Sequence, residues 1–99
     1  MPSIRIPSSL RGLTGGHADI VTTAATVREA IADLDRRYPG IAARVLDGSG
    51  DVKRFIRVFV GAEDIAGLSG LDTPVGERDE IEIIPAIAGG SGGPGELDV

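Results

Sequence analysis

Cysteine is absent from this chain of 99 residues. Disulfides, thiolate metal sites and a cysteine nucleophile are therefore excluded. Tryptophan is absent as well, and one Tyr and two Phe are the only aromatic residues, so the core has to be built from Ile, Val, Leu and Ala. There is a single histidine, His17. A lone His without Cys, and without an acid at ligand spacing, makes no metal site. With no nucleophile beside it, it is no general base either, and a surface or strand-edge position is expected for it. No apolar run approaches the roughly 20 residues of a membrane span, and no basic, apolar, small-residue leader opens the chain. The expectation is a cytoplasmic protein with no membrane partner. Cations are outnumbered, 10 Lys and Arg against 15 Asp and Glu, for a net charge of −5. That balance disfavours non-specific nucleic-acid binding, which neutralises phosphates with Lys and Arg. It suits either simple solubility or a partner with a basic docking surface. Thr14-Gly15-Gly16 lacks the Walker Lys-Ser/Thr and a following helix, so it is no phosphate loop. Without a nucleophile–base constellation the chain is not expected to be an enzyme, and nothing in the residues implies a cofactor.

What is present is one domain's worth of chain. Ser3-Ile4-Arg5-Ile6-Pro7 alternates and predicts a first strand with Ile4 and Ile6 on one face. Residues 8–16 read as a loop. A second short strand is expected over residues 17–23, with Ala18, Ile20 and Thr22 on one face, forming a hairpin with the first. Thr26-Val27-Arg28-Glu29 has the form of a capping box. Val27, Ala30, Ile31, Leu34 and Tyr38 then recur at helical spacing, predicting one long helix that Pro39-Gly40 ends. Ile41, Val45 and Leu46 suggest a further helical turn, and residues 47–51 a mobile loop. Phe55-Ile56-Arg57-Val58-Phe59-Val60 is the strongest strand, apolar on both faces apart from Arg57, so it is either central or docks on its outer face. Gly61 to Asp64 read as a turn, with a short edge strand beginning at Ile65. The last strand is Glu80-Ile81-Glu82-Ile83-Ile84, with Ile81 and Ile83 inward. The order β-β-α-β-(β)-β predicts an α+β fold in which one helix crosses one face of a sheet of four to five strands.

That last strand runs into Pro85-Ala86-Ile87-Ala88-Gly89-Gly90. Glycine, lacking Cβ, accepts backbone angles and wall contacts closed to other residues. Five extended residues after Pro85 reach about 17 Å, enough to carry a chain end into another protein's active site. Ser91 to Val99 follow, with three Gly, one Pro, two acids and no periodic apolar pattern. They are expected to be a disordered extension.

The segment Asp79-Glu80-Ile81-Glu82-Ile83-Ile84-Pro85-Ala86-Ile87-Ala88-Gly89-Gly90 resembles the closing segment of the MoaD/ThiS family of ubiquitin-like (β-grasp) sulfur carriers, and the likeness runs from Ile4 to Gly90. Ile6-Pro7 through Leu10-Arg11, Thr14-Gly15-Gly16, Tyr38-Pro39-Gly40-Ile41, Arg54-Phe55 and Glu63-Asp64 resemble the members that serve cysteine biosynthesis. Arg78 departs from a Gly common in the last turn, and the nine residues after Gly90 depart from a family whose chemistry uses a free glycine carboxylate. The resemblance implies a β-grasp carrier over residues 1–90 and an extension, 91–99, that is removed. It implies that an E1-like adenylating enzyme of the MoeB/ThiF type activates the Gly90 carboxylate with ATP, and that the resulting thiocarboxylate is passed to an acceptor. In the cysteine branch the acceptor is a pyridoxal-phosphate-dependent synthase that makes a carrier–cysteine adduct, and a JAMM-type zinc peptidase releases cysteine. A peptidase of that class is also the candidate for cutting between Gly90 and Ser91. Gly89-Gly90, at the family spacing from the last strand, is then the acyl carrier site, rather than Gly92-Gly93. Pro85, Ile87 and Ala88, with Phe59, are the candidate partner-binding residues; for Phe59 a place in the core is the favoured expectation, because with only two Phe in the chain both are expected to be needed there. The acidic pairs Glu63-Asp64 and Asp79-Glu80 read as solvated turn charges, with salt bridges to a basic activating enzyme as the other reading. Rival functions are a molybdopterin synthase small subunit, a thiamine or secondary-metabolite sulfur carrier, and a ubiquitin-like interaction module that is never activated.

Overall fold

The computed structural model describes residues 1–85; residues 86–99 lie outside it. Five strands form one mixed sheet: β1 (Ser3–Arg5), β2 (Asp19–Val21), β3 (Ile56–Val60), β4 (Glu63–Asp64) and β5 (Glu80–Pro85), in the order β2-β1-β5-β3-β4. β1 pairs antiparallel with β2 and parallel with β5, and β3 pairs antiparallel with β5 and β4. The first and last strands thus lie side by side in the middle of the sheet. The parallel pairing is possible because the helix and most of the chain lie between them. This is the expected α+β, β-grasp arrangement.

Helix α1 (Val27–Arg37) covers one face of the sheet. Val27, Ala30, Ile31 and Leu34 are buried, and they meet Ile4 and Ile6, Ile20, Val58, Ile81 and Ile83 from the strands. The helix starts where the sequence places it. The Thr26 hydroxyl oxygen accepts from the Glu29 backbone N–H at 3.2 Å, and Glu29 Oε1 accepts from the Ala25 N–H at 3.0 Å. The acid therefore reaches one residue further back than in the usual capping box. At the far end, Gly40 turns with φ 104°, open to glycine alone at low cost. Asp35 Oδ1 fixes the turn by accepting from the N–H groups of Gly40 and Ala42 at 3.1 and 3.0 Å. A one-turn helix α2 (Ala42–Val45) follows and buries Val45.

Several loops are more ordered than the sequence suggests. Ser8–Thr14 winds as a 3-10 helix that buries Leu10 and Thr14. Residues 47–51 form a tied turn: Asp47 Oδ1 accepts from the N–H groups of Ser49 and Asp51, and the Asp47 N–H donates to the Asp51 carbonyl at 2.7 Å. An Asp at the start of a turn supplies its own acceptor, which composition alone does not reveal. The edge strand is Glu63–Asp64, and Ile65 instead opens a 3-10 turn, Ile65–Gly67. Asp64 causes the change of direction, its Oδ1 accepting from the Ala66 N–H at 2.9 Å.

The helix is joined to β2 through Asp33. Its carboxylate accepts from the buried Thr22 hydroxyl at 2.9 Å and from Arg37 at 2.8 Å, and it also pairs with Arg36. Burial pushes this carboxyl up, but the Thr22 hydroxyl, Arg37 and Arg36 outweigh burial and hold it below its ordinary 3.8. A depressed folded-state pKa means stability that is present above the unfolded value and lost as pH falls through the folded one. Asp33→Asn should therefore cost about 1–2 kcal/mol at neutral pH. Urea titrations should show the deficit shrinking once the pH lies below the folded-state pKa. A deficit of equal size at both pH values would mean that packing, and not the ionised carboxylate, makes the contribution.

Candidate functional site

The candidate site is the place where the last strand ends, at Pro85. β5 is held on both sides, by β1 opposite Glu80, Ile81 and Glu82 and by β3 along its length to Pro85. Ile81 and Ile83 anchor it, at 0% and 1% exposure. The direction in which the chain departs is thus set by the most firmly held strand of the sheet. Pro85 pairs in register with Ile56. The Gly61 N–H donates to the Glu80 carbonyl at 2.9 Å. In an antiparallel ladder the bonded pairs alternate, so the backbone of Pro85 faces away from β3, toward the side that β1 has already left at Arg5. A missing N–H costs nothing there, and the Pro closes the strand without breaking a ladder bond.

The outward face of the sheet surrounds this exit. Register places Asp19, Arg5, Glu82, Phe59 and Asp64 in one cross-strand row, and Ile84 beside Arg57 in the next. Arg57 Nη1 donates to Asp64 Oδ2 at 3.1 Å. The face is therefore charged, with Phe59 and the half-buried Ile84 as its apolar centre. Phe59 is not in the core cluster, and Phe55 is 61% exposed. This overturns the favoured expectation that the chain's two Phe are needed inside: the aliphatic residues fill the core, and the parity of β3 turns Val58 inward and Phe59 outward. Arg57, Ile84 and Arg5 were not legible as part of this face. The one available signal was the parity that Arg57 shares with Phe59; which strands flank β3 is settled by register alone.

The acidic pairs are divided in role. Asp64 serves the Arg57 pair and the turn after β4. Asp79 Oδ2 accepts from the Gly76 N–H at 2.7 Å and closes the turn before β5. Their neighbours Glu63 and Glu80 are exposed. So half of each pair is structural, where solvated charge was expected. His17 is exposed just ahead of β2, as expected. Among the described residues no group of three or more His, Asp or Glu is gathered closely enough to hold a metal, and no helix is long and apolar enough to cross a membrane. Of the candidate site residues, Pro85 and Phe59 lie among the described residues. Ile87, Ala88, Gly89, Gly90 and Ser91, and the expected extension 91–99, lie outside the described residues.

Comparison with known proteins agrees with this geometry. The ThiS family model matches residues 4–90, ending on Gly90. The sulfur carrier protein CysO of Mycobacterium tuberculosis is 37% identical over 90 residues, covering 89% of this chain and 97% of the relative. Among solved structures, the Amycolatopsis orientalis BexX/CysO complex contains a chain that superposes with a TM-score of 0.85 at 39% identity, over 91% of this chain and 100% of that one. The crystal structure of Mycobacterium tuberculosis CysO gives 0.83 at 34% identity, over 88% and 100%. A family match over nearly the whole described body, continuing to the double glycine, leads to one conclusion: this chain belongs to the ThiS family of ubiquitin-like sulfur carriers, proteins that carry rather than catalyse.

Proposed function

We propose that the working atom of this protein is the carboxyl carbon of Gly90 and that the sulfur it carries goes to cysteine synthesis. The observation that carries the reading is the coincidence of two endpoints. The family match stops at Gly90, and β5, held on both sides, delivers the chain toward that residue. Similarity to CysO proteins favours the cysteine branch over the molybdopterin and thiamine branches.

The chemistry asks little of side chains. A Gly90 carboxylate oxygen attacks the α-phosphorus of ATP in the E1-like enzyme, and pyrophosphate leaves. Sulfide (HS−) then attacks the acyl carbon and AMP leaves, giving the thiocarboxylate. Gly89 and Gly90 let the backbone thread a narrow channel, since neither presents a Cβ. Pro85, Ile87 and Ala88 seat the tail in a partner's groove, and the face around Phe59 docks the body. Cleavage between Gly90 and Ser91 by a JAMM-type peptidase supplies the free carboxylate, and the whole sequence runs in the cytoplasm. The BexX/CysO complex is a solved case of a carrier of this kind seated on another protein.

The acceptor is tested directly. The thiocarboxylate form of residues 1–90 is incubated with the pyridoxal-phosphate-dependent synthase and its activated serine substrate, and the products are weighed. The expected result is a carrier heavier than its plain carboxylate form by one cysteine residue, the sulfur coming from the thiocarboxylate and the leaving group of the activated serine being released; the zinc peptidase returns it to the plain carboxylate with release of free cysteine. Sulfur transfer to a molybdopterin or thiazole precursor, with no cysteine adduct, would move the protein to a rival branch.

A further inference from the structure

A second surface on this molecule has no role in the scheme above. Beside β3 lies a cleft of about 330 Å³. Val52, Ile56, Ile65 and Leu71 give it an apolar lining, and Lys53 and Arg54 stand at its rim. Asp51 and Asp64 are there too, but Asp64 is engaged by Arg57. Among the described residues Lys53 has no ion pair. The cleft exists because β4 is only two residues long. It pairs with Phe59 and Val60, and among the described residues no strand pairs with Ile56, Arg57 or Val58 on the side away from β5; the Ile56 N–H on that side already donates to the Lys53 carbonyl at 2.9 Å, so Val58 carries the open backbone groups. An uncovered edge of this kind accepts an extended peptide as a further strand.

The chain supplies a matching peptide. Pro85, the last described residue, lies opposite Ile56, which lines the cleft. Two strand spacings, about 10 Å, separate β5 from the position beyond β3. Residues 86–95 include five Gly and one Pro, and ten residues span up to about 33 Å, ample for a return loop. The four residues that follow, Glu96-Leu97-Asp98-Val99, alternate acid and aliphatic. That is too short to register as a period, but it is the pattern a strand needs to lay two aliphatic side chains on an apolar floor and hold two carboxylates away from it.

We propose that the cleft beside β3 binds Glu96-Leu97-Asp98-Val99 of the same chain as an added strand, with Leu97 and Val99 on the apolar floor and Glu96 and Asp98 toward Lys53 and Arg54. The assignment goes beyond the carrier reading and does not rest on it.

Because the chain has no cysteine, a spin label on Gly95→Cys attaches at one place. Amide spectra of the full labelled chain should lose intensity selectively at Lys53, Val58 and Ile65, while Arg5 and Ile20 across the sheet keep theirs. The paired change Lys53→Glu and Arg54→Glu should abolish the selective loss, its fold checked by the unchanged amides of β1 and β2. In the unlabelled chain, Leu97→Ser should shift the Val58 and Ile65 amides. Even, weak broadening over the whole body, or no shift with Leu97→Ser, overturns the proposal. So does a loss that grows with protein concentration, which would make a second copy the occupant. None of these readouts involves sulfur, so they stand or fall apart from the carrier chemistry.

Discussion

Given ATP, sulfide and the matching adenylating enzyme, a chain ending at Gly90 should gain the mass of one oxygen-for-sulfur exchange, and the 99-residue chain should not. The reason is covalent. In the longer chain the Gly90 carbonyl is already spent in an amide to Ser91, and adenylation needs a carboxylate. Replacing Gly90 itself is the sharper test. Gly90→Val places a β-branched side chain beside the reacting carbonyl, in a channel that must bring that carbon within bonding distance of ATP. Misplacement of a reacting group by about 1 Å costs on the order of a hundredfold, and the variant should fall at least that far in transfer. Its melting curve should match the parent, because Gly90 lies five residues beyond the end of β5. Normal loading of Gly90→Val, or a thiocarboxylate found on the intact 99-residue chain, would remove Gly90 from the mechanism. Native-host protein that carries residues 91–99 with no shorter species would instead favour the interaction-module reading.

The second large effect is expected at Phe59. An aromatic residue at the centre of an interface commonly contributes 2 kcal/mol or more to binding, which corresponds to about 30-fold in kcat/KM. Phe59→Ala should lower the loading rate by roughly that factor at sub-saturating activating enzyme. Stability should change by less than about 1.5 kcal/mol, because Phe59 stands outside the core cluster. Phe55→Ala is the matched comparison: equally aromatic, more exposed, and occupied beneath Arg54 at 5.7 Å. A large stability loss with unchanged loading would return Phe59 to a structural role. Equal loading by both variants would place the docking surface elsewhere.

Much of this molecule was legible because its signals are local. The Thr26 cap, the 3.6-residue recurrence of Val27, Ala30, Ile31 and Leu34, and the inward alternation of Ile81 and Ile83 each depend on a few neighbouring residues. Backbone geometry turns such spacing directly into a buried face. The double glycine after the last strand belongs to the same class. It is a property of the bare chain, and its proposed role as the carrier site rests on the sequence and on a family match that ends at Gly90.

Tertiary structure decided the rest, because pairing between strands is a long-range choice. Nothing local says that β5 inserts between β1 and β3, yet that insertion determines which strand aims the tail. The shortness of β4 follows from Asp64 bonding forward to Ala66 instead of continuing the ladder, and the uncovered edge of β3 follows from that. The outward place of Phe59 required knowing that Ile, Val, Leu and Ala already fill the space between sheet and helix. A hydrophobic residue's destination is set by the volume its distant neighbours leave, and volume is a property of the folded body.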